Sequence, residues 1–164
     1  MKDIQERFRL AMRGTVSGVS IVTAAGETGH VGVTVSSLSS LSLEPPSILV
    51  AIHEKSYALA TIEARKHFAA NILSGSQMYL AEIFAGRRPD MRGDRFSHAC
   101  WRTLASGAPI LEHAIAAFDC KLVQVVPFGS HRILLGEVLD LRHSIAPALF
   151  YSNGVFGTAQ SDLG

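Results

Sequence analysis

Short runs rich in β-branched residues, each followed by a turn, recur along most of this sequence. "GVSIVTA" (18–24) and "SILVAI" (47–52) are typical, because both combine Val and Ile and lie beside glycine, proline or serine. The glycine-containing turn "AGETG" (25–29) indicates that the first two runs form a hairpin. The pattern predicts strands over 18–24, 30–36, 47–53, 67–73, 114–126, 131–141 and 149–152.

Only three segments show the apolar spacing of a helix. The first extends from Ile4 to Met12 and ends at Gly14, and two more are predicted over 56–65 and 76–85. Three short helices at these positions cannot supply the crossover connections that a parallel sheet needs. Many short antiparallel strands favour a barrel, because closure removes exposed edges. We therefore predict a mainly β fold, a small β-barrel with a few peripheral short helices.

Two segments interrupt the strand pattern. Pro45-Pro46 cannot lie inside a central strand, so it predicts a turn before the strand at 47–53. Residues 86–113 are rich in Arg, Asp, Gly and Pro and are predicted to be irregular. Long loops of this kind within a compact domain are usually functional or mobile.

The composition is more apolar than that of a typical soluble domain. The 164 residues (17.6 kDa) predict one domain over 1–164, with 48% hydrophobic and 18% charged residues and a mean hydropathy of +0.24. Such an excess fits a large closed core together with apolar surface buried in an oligomer, so we expect a homodimer. The net charge of +1 lacks the basic excess expected of a nucleic-acid-binding protein.

Cysteine use and hydropathy favour a cytoplasmic protein. The chain has two cysteines, Cys100 and Cys120, and no CxxC motif; free buried thiols are expected rather than a disulfide. The opening "MKDIQERFRLAMRG" carries charges throughout, unlike a signal peptide. No run of about 18 apolar residues predicts a membrane span.

Hydrolytic and metal motifs are missing from the sequence. There is no G-x-S-x-G, H-E-x-x-H or P-loop pattern, and none of the seven histidines pairs with another at ligand spacing. "SHAC" (97–100) offers two candidate ligands, which fall short of a zinc site. We expect no bound metal.

The segment "TVSSLSSLS" (34–42) has six hydroxyl side chains in nine positions. Val35, Leu38 and Leu41 recur every three residues, which suits neither a half-buried strand nor an amphipathic helix. The hydroxyls and the backbone amides of a bend could hold a phosphate or a heteroaromatic edge. They could also form a polar barrel rim, which the composition alone slightly favours, and the residues leave both interpretations open.

The segment "GVTVSSLSSLSLEPPSILVAI" (32–52) closely resembles the flavin-binding segment of the short-chain flavin reductases, the small components of two-component flavin monooxygenases. The resemblance covers essentially the whole chain, because further family segments follow in the family's order and spacing. They are "FRLAMRGTVSGVSIVTA" (8–24), "HFAANIL" (67–73), "QMYLAEIFAG" (77–86), "RF" (95–96), "GAPIL" (107–111), "AIAAFDCKL" (114–122), "GSHRILLGEV" (129–138) and "ALFYSNGVF" (148–156).

This resemblance implies a split β-barrel with Greek-key connections, a homodimer, and FMN or FAD bound near the dimer interface. It also implies oxidation of NADH or NADPH. The protein then needs no catalytic side chain, because the two cofactors carry the hydride chemistry and the protein supplies geometry.

The resemblance also implies cofactor-binding residues. The resemblance places the family motif along one side of the flavin ring, and the loop after the motif continues along the same flavin. It also places a flavin phosphate where a strand ends before the second helix. His131 lies where the family often has Gly-Asp-His and is expected to contact the nicotinamide, although Ser130 replaces the aspartate. The implied cofactor-binding set is Thr34, Val35, Ser36, Ser37, Ser39, Ser42, Lys55, Ser56, Ala85, Arg87, His131 and Tyr151.

The function implied is an NAD(P)H:flavin oxidoreductase that supplies reduced flavin to a partner monooxygenase. Two alternatives use the same barrel: a flavin-binding module without reductase activity, and an electron donor that keeps its flavin tightly bound. The sequence leaves open FMN against FAD, NADH against NADPH, and the identity of any partner oxygenase.

Overall fold

The computed structural model describes residues 3–159 of the chain. Three α-helices are present: α1 (Ile4–Met12), α2 (Tyr57–Arg65) and α3 (Met78–Phe84). Single 3-10 turns occur at Gly75–Gln77, Pro89–Met91 and Arg95–His98. The strands are β1 (Ser17–Gly18), β2 (Ser20–Ala25), β3 (His30–Val35), β4 (Ser39–Leu43), β5 (Pro46–His53), β6 (His67–Ile72), β7 (Trp101–Thr103), β8 (Pro109–Leu111), β9 (Ala116–Phe128), β10 (His131–His143), β11 (Ala148–Ser152) and β12 (Val155–Ala159).

Seven strands form one antiparallel sheet in the order β3-β2-β6-β9-β10-β5-β4. The β9–β10 hairpin lies between β6 and β5, which is a Greek-key arrangement. Consecutive strands β3 and β4 lie at opposite edges of this sheet, so residues 36–38 carry the chain directly from one edge to the other. The sheet is therefore curled into a barrel that is split between β3 and β4, as predicted.

The barrel interior is filled by alternate residues of its strands. In β5, Ile48, Val50 and Ile52 are buried and the residues between them are not, which is the period of two expected of a strand. These side chains pack with Phe68 of β6 and with the apolar face of α2. A second cluster packs α3 against β2 and β11, and positions the loop that follows α3.

The segment predicted to be irregular contains a small β7–β8 hairpin that buried polar side chains hold against the sheet. Thr23 Oγ1 donates to the Pro109 carbonyl (2.6 Å), and the Leu111 amide donates to Asn71 Oδ1 (2.8 Å). Asp119, fully buried, accepts from the Ser106 amide at 2.7 Å and from the Ser106 hydroxyl. These contacts satisfy polar groups inside the protein and fix a segment that has little regular structure of its own.

The predicted strands and the three predicted helices are present, with boundaries shifted by a few residues. The turn at Pro45-Pro46 is also confirmed, since β4 and β5 form a hairpin there. Four short strands, β4, β7, β8 and β12, were not predicted. Both cysteines are free, but only Cys120 is buried; Cys100 is exposed, so the expectation of two buried thiols was wrong for it.

We expect Gly136→Ala to destabilise the barrel by about 1–3 kcal/mol. A Cβ at Gly136 would lie 2.5 Å from the Phe68 ring in the core, beside a β-bulge. Gly18→Ala is the matched control, because nothing lies within 4 Å of a Cβ built there. Chemical denaturation of both variants measures the free energy of unfolding, and equal losses would contradict this account of the packing.

We expect a thiol reagent at pH 8 to modify Cys100 quickly and Cys120 hardly at all in the folded protein. Burial, with a contribution from the Asp119 charge, raises the pKa of the Cys120 thiol to about 12, and the thiolate is the reactive form. Alkaline pH should favour the unfolded state, in which this thiol ionises near its ordinary pKa. A Cys100→Ser variant should show no rapid labelling until denaturant is added; rapid labelling of its folded form would contradict the prediction.

Candidate functional site

A pocket of about 170 Å³ lies beside the carboxyl end of β3, and we call it the β3 pocket. It brings together six of the twelve residues expected to bind a cofactor, although they are up to 117 positions apart (34 to 151) in the sequence. Val19 and Phe156 complete its walls. The six predicted residues are Thr34, Val35, Ser36, Ala85, Arg87 and Tyr151.

Among residues 3–159, the edge of β3 that faces away from β2 has no strand partner in the sheet. An unpaired strand edge presents backbone N–H and C=O groups, which can recognise the donors and acceptors along the rim of a heteroaromatic ring. The pocket at the end of this edge is therefore suited to a planar polar ligand.

Two of the predicted hydroxyls hold this edge in position. Thr34 Oγ1 donates to the Ala81 carbonyl of α3 at 2.8 Å. Ser37 Oγ donates to the Ala51 carbonyl (2.8 Å) and accepts from the Ala51 amide (3.1 Å), both in β5. These side chains are used within the protein, which leaves the backbone of residues 34–37 as the better candidate for ligand contact.

Arg87 supplies a positive charge at the β3 pocket. Its guanidinium lies 5.5 Å from the Tyr151 ring centroid and 5.8 Å from that of Phe156, and Nη2 donates to the Tyr151 hydroxyl at 3.4 Å. Cation–π contacts of this kind hold an arginine without neutralising it. The neighbouring Arg88 is instead paired with Asp90 at 3.0 Å in solvent.

A groove of about 820 Å³ continues from the β3 pocket along helix α1, where Ser36, Ser37 and Tyr151 form one wall. The other wall includes Phe8 and Met12, which are 64% and 50% exposed. None of the described residues of α1 is buried, so the helix offers its apolar side to the groove. A role of α1 in the site was not predicted from the sequence.

A second cavity of about 880 Å³ lies at the other end of β3, and we call it the α2 cleft. Lys55 and Ser56, predicted for a flavin phosphate, line it where β5 ends and α2 begins. Ser56 is the N-cap residue of α2. The cleft is lined by Thr28, Gly29, His30, Val31, Gly32, Val33, His53, Lys55, Ser56, Tyr57, Ala58, Phe84, Arg92, Gly93, Asp94, Arg95 and Phe96.

His131 lies next to His53, a residue that lines the α2 cleft, because β10 begins opposite the end of β5. Its register partner in β5 is His53, and the two rings meet edge to face with centroids 5.2 Å apart. His131 Nδ1 lies 3.0 Å from Ser130 Oγ, so the serine that replaces the expected aspartate still orients the ring. His53 Nδ1 accepts from the Lys55 amide at 3.1 Å.

Ser39 and Ser42 lie on β4, apart from both the β3 pocket and the α2 cleft. Ser42 Oγ accepts from the Glu44 amide (3.0 Å) and donates to the Glu44 carbonyl (3.2 Å), so it stabilises the turn before β5. Ser39 Oγ donates to the adjacent Ser40 carbonyl at 3.2 Å. The structure does not bring these two hydroxyls together with the other predicted residues.

Several residues that shape the site were not predicted. Phe84 and Phe96 pack edge to face with ring centroids 5.1 Å apart against β3. Gly32 permits this contact, because a Cβ there would lie 2.7 Å from the Phe84 ring. A glycine between two valines in a strand was the available signal, since it marks a close approach of another group.

Within residues 3–159, no three His, Cys, Asp or Glu side chains are grouped closely enough to hold a metal ion. Among the helices described, none has the length and hydropathy needed to cross a membrane.

The chain matches a known protein family over most of its length. The model of the family described as "Flavin reductase like domain" matches residues 12–160. "FMN reductase (NADH) RutF" of Acinetobacter baylyi is 35% identical over 150 residues, which cover 91% of this chain and 79% of that protein. The chain therefore belongs to the flavin reductase-like family.

Two solved structures extend the similarity to the fold. Streptomyces globisporus NADH:FAD oxidoreductase SgcE6, solved with NAD and FAD fragments, superposes with a TM-score of 0.88 at 28% identity, covering 100% of this chain and 99% of that one. BorF, the flavin reductase component of a bacterial two-component tryptophan halogenase, gives a TM-score of 0.86 at 28% identity, covering 96% and 99%.

We expect Ser37→Ala to lower the free energy of unfolding by about 1–3 kcal/mol, because it leaves the amide and carbonyl of Ala51 without their partner. Ser40→Ala in β4 is the control, since Ser40 is exposed. Thermal or chemical denaturation measures both. A loss for Ser37→Ala no larger than that for Ser40→Ala would show that this contact does not hold the barrel together.

Proposed function

We propose that this protein reduces FMN with NADH and releases the reduced flavin to a partner monooxygenase. The observation that carries the proposal is the β3 pocket, where six residues implied by the family resemblance converge. NADH and FMN appear in the name of the A. baylyi relative, and FAD in that of the S. globisporus enzyme. FAD is therefore the second candidate for the flavin.

The residues of the β3 pocket fit a flavin. The unpaired edge of β3 offers backbone donors and acceptors to the polar rim of the ring. Arg87, which has no carboxylate partner within the described part of the chain, offers a cation. Lys55 and Ser56, at the start of α2, are placed to hold a flavin phosphate. The groove along α1 leaves one side of the pocket open for a second ring.

Bound flavin and NADH supply the redox chemistry, in which a hydride passes from the nicotinamide C4 to the flavin N5. The protein has to hold the two rings face to face and exclude other geometries. Backbone amides of residues 34–37 and the Arg87 charge would stabilise negative charge that develops on the reduced ring. His131 is assigned to the nicotinamide side, with Ser130 fixing its orientation.

We further propose that the protein is a homodimer. Apolar side chains with large exposed fractions lie on the outside of the barrel and on α1, and apolar surface of this kind marks sites of protein–protein contact. Burying them against a second copy would cover this surface. Examples are Leu43 (87%), Phe128 (80%), Val16 (66%), Phe8 (64%) and Val123 (61%).

A cytoplasmic location belongs to the same proposal. NADH is supplied in the cytoplasm, and the two free thiols, Cys100 and Cys120, suit a reducing compartment.

Mixing the purified protein with NADH or NADPH and with FMN or FAD tests the proposal. We expect rapid loss of the reduced-nicotinamide absorbance with NADH and FMN, at substoichiometric protein. Flavin lost on gel filtration would indicate a diffusing substrate, whereas retained flavin would favour a bound prosthetic group. Flavin binding without oxidation in any pairing would replace the reductase with a binding module.

We expect His131→Ala to lower kcat/KM for NADH by roughly ten- to a hundredfold, through poorer alignment of the nicotinamide, with FMN affinity almost unchanged. His143→Ala is the matched control, because His143 lies at the opposite end of β10. Steady-state kinetics and a flavin titration measure the two effects. Unchanged NADH kinetics in His131→Ala would remove His131 from the nicotinamide site.

A further inference from the structure

His53, the last residue of β5, contacts both of the segments that the proposed function assigns to the two cofactors. It is the register partner of His131, which is assigned to the nicotinamide. It also lies two residues before Lys55, which is assigned to the flavin phosphate. His53 is outside the cofactor-binding set that the family resemblance implies, so its place between the two segments comes from the structure.

The pairing of β5 with β10 brings the rings of His53 and His131 together. The Glu54 amide donates to the Ser130 carbonyl at 2.9 Å, so this backbone hydrogen bond flanks the histidine pair instead of joining its two members. In an antiparallel ladder, the side chains of such pairs lie closest together. The rings meet at an interplanar angle of 72° with centroids 5.2 Å apart, an edge-to-face geometry that aromatic rings prefer. The His53 ring therefore restricts the orientations open to the His131 ring.

The Nδ1 atom of His53 holds the turn that precedes α2. It accepts a hydrogen bond from the Lys55 amide at 3.1 Å, and the His53 carbonyl accepts from the Ser56 amide at 2.9 Å. Because a backbone amide can only donate, Nδ1 carries no proton and the neutral ring has its proton on Nε2. The backbone of both residues assigned to the flavin phosphate is thus fixed by hydrogen bonds to His53.

The strand ends around His53 are joined by a separate ion pair. Arg132 Nη2 lies 3.0 Å from Glu54 Oε2, and Arg132 Nη1 donates to the His131 carbonyl at 3.1 Å. This contact links the turn after β5 to the start of β10 without using the His53 side chain. Substitution of His53 should therefore change the ring contact or the turn while the two strand ends stay paired.

We propose that His53 is a positioning residue for both cofactors. Its ring orients His131 toward the nicotinamide, and its Nδ1 atom sets the turn that presents Lys55 to the flavin phosphate. The inference rests on the proposed function, since that function assigns His131 and Lys55 their roles. The two tasks use different parts of one imidazole, so single substitutions can separate them.

Two substitutions of His53 test the proposal, because each removes one task. His53→Asn keeps an acceptor for the amide two residues further on, as in an Asx turn, and loses the ring. We expect it to lower kcat/KM for NADH roughly two- to tenfold and to leave FMN affinity unchanged. His53→Phe keeps a ring and loses the acceptor. We expect it to weaken FMN binding roughly two- to tenfold and to leave kcat/KM for NADH at saturating FMN unchanged.

His143→Asn and His143→Phe are the matched controls, because His143 is exposed at the opposite end of β10. Adding His53→Asn to His131→Ala should cause no further loss of kcat/KM, since the His53 ring acts through His131. An additional loss as large as that in the wild-type background would overturn the inference. Equal changes of both parameters in the two His53 variants, or variants that match the His143 controls, would overturn it as well.

Nitrogen-15 NMR of the histidine rings provides a measurement that needs no NADH oxidation. We expect the neutral His53 ring of the wild-type protein at pH 8 to carry its proton on Nε2, and a proton on Nδ1 would overturn the inference. Wild-type protein that bound FMN without oxidising NADH would overturn the proposed function instead. Weaker FMN binding by His53→Phe, but not by His53→Asn, would then still support the role of His53 at the flavin, and equal FMN affinities would refute it.

Discussion

Closure of the barrel across its split depends on Ser37. The chain leaves β3 at one edge of the seven-stranded sheet and enters β4 at the other. The residues that link these two strands are not themselves part of a paired strand. The Ser37 hydroxyl takes the place of a strand partner, accepting from one peptide group of β5 and donating to the same residue's carbonyl. The edge of β3, the β3 pocket and the direction of the α2 cleft all follow from where this crossing is fixed.

The barrel could be predicted because the sequence of each longer strand shows a recognisable local pattern. β-branched runs, a glycine turn and the Pro-Pro break are properties of neighbouring residues, and the structure follows them. The missed elements have other causes. All five residues of β4 are exposed, so no alternation reveals a buried face. The β7–β8 hairpin is held by Thr23 and Asn71, which are distant in sequence, and only the tertiary structure shows that contact.

The odd three-residue spacing of the serine segment has a structural explanation. Val35 ends a strand with its side chain buried, Leu38 lies in the crossing, and Leu41 lies at an irregular register of β4. The residues alone could not separate a rim from a ligand site, and the structure divides the segment between a pocket wall and a turn. Thr34 and Ser36 line the pocket, while Ser42 stabilises a turn. The position of Arg87 over Tyr151 depends on two elements separated by 64 residues, which no local pattern could indicate.

An open strand edge has a consequence for how this protein behaves in solution. β4, the opposite edge, carries the exposed Leu41 and Leu43. The three valines of β3 pack against the barrel core, and the outer backbone edge of β3 has no strand partner among residues 3–159. Unpaired sheet edges can pair with a strand of another molecule and lead to aggregation. A flavin bound against this edge would occupy those backbone groups as well as serve the reaction, so we expect protein stored without its ligands to aggregate more readily.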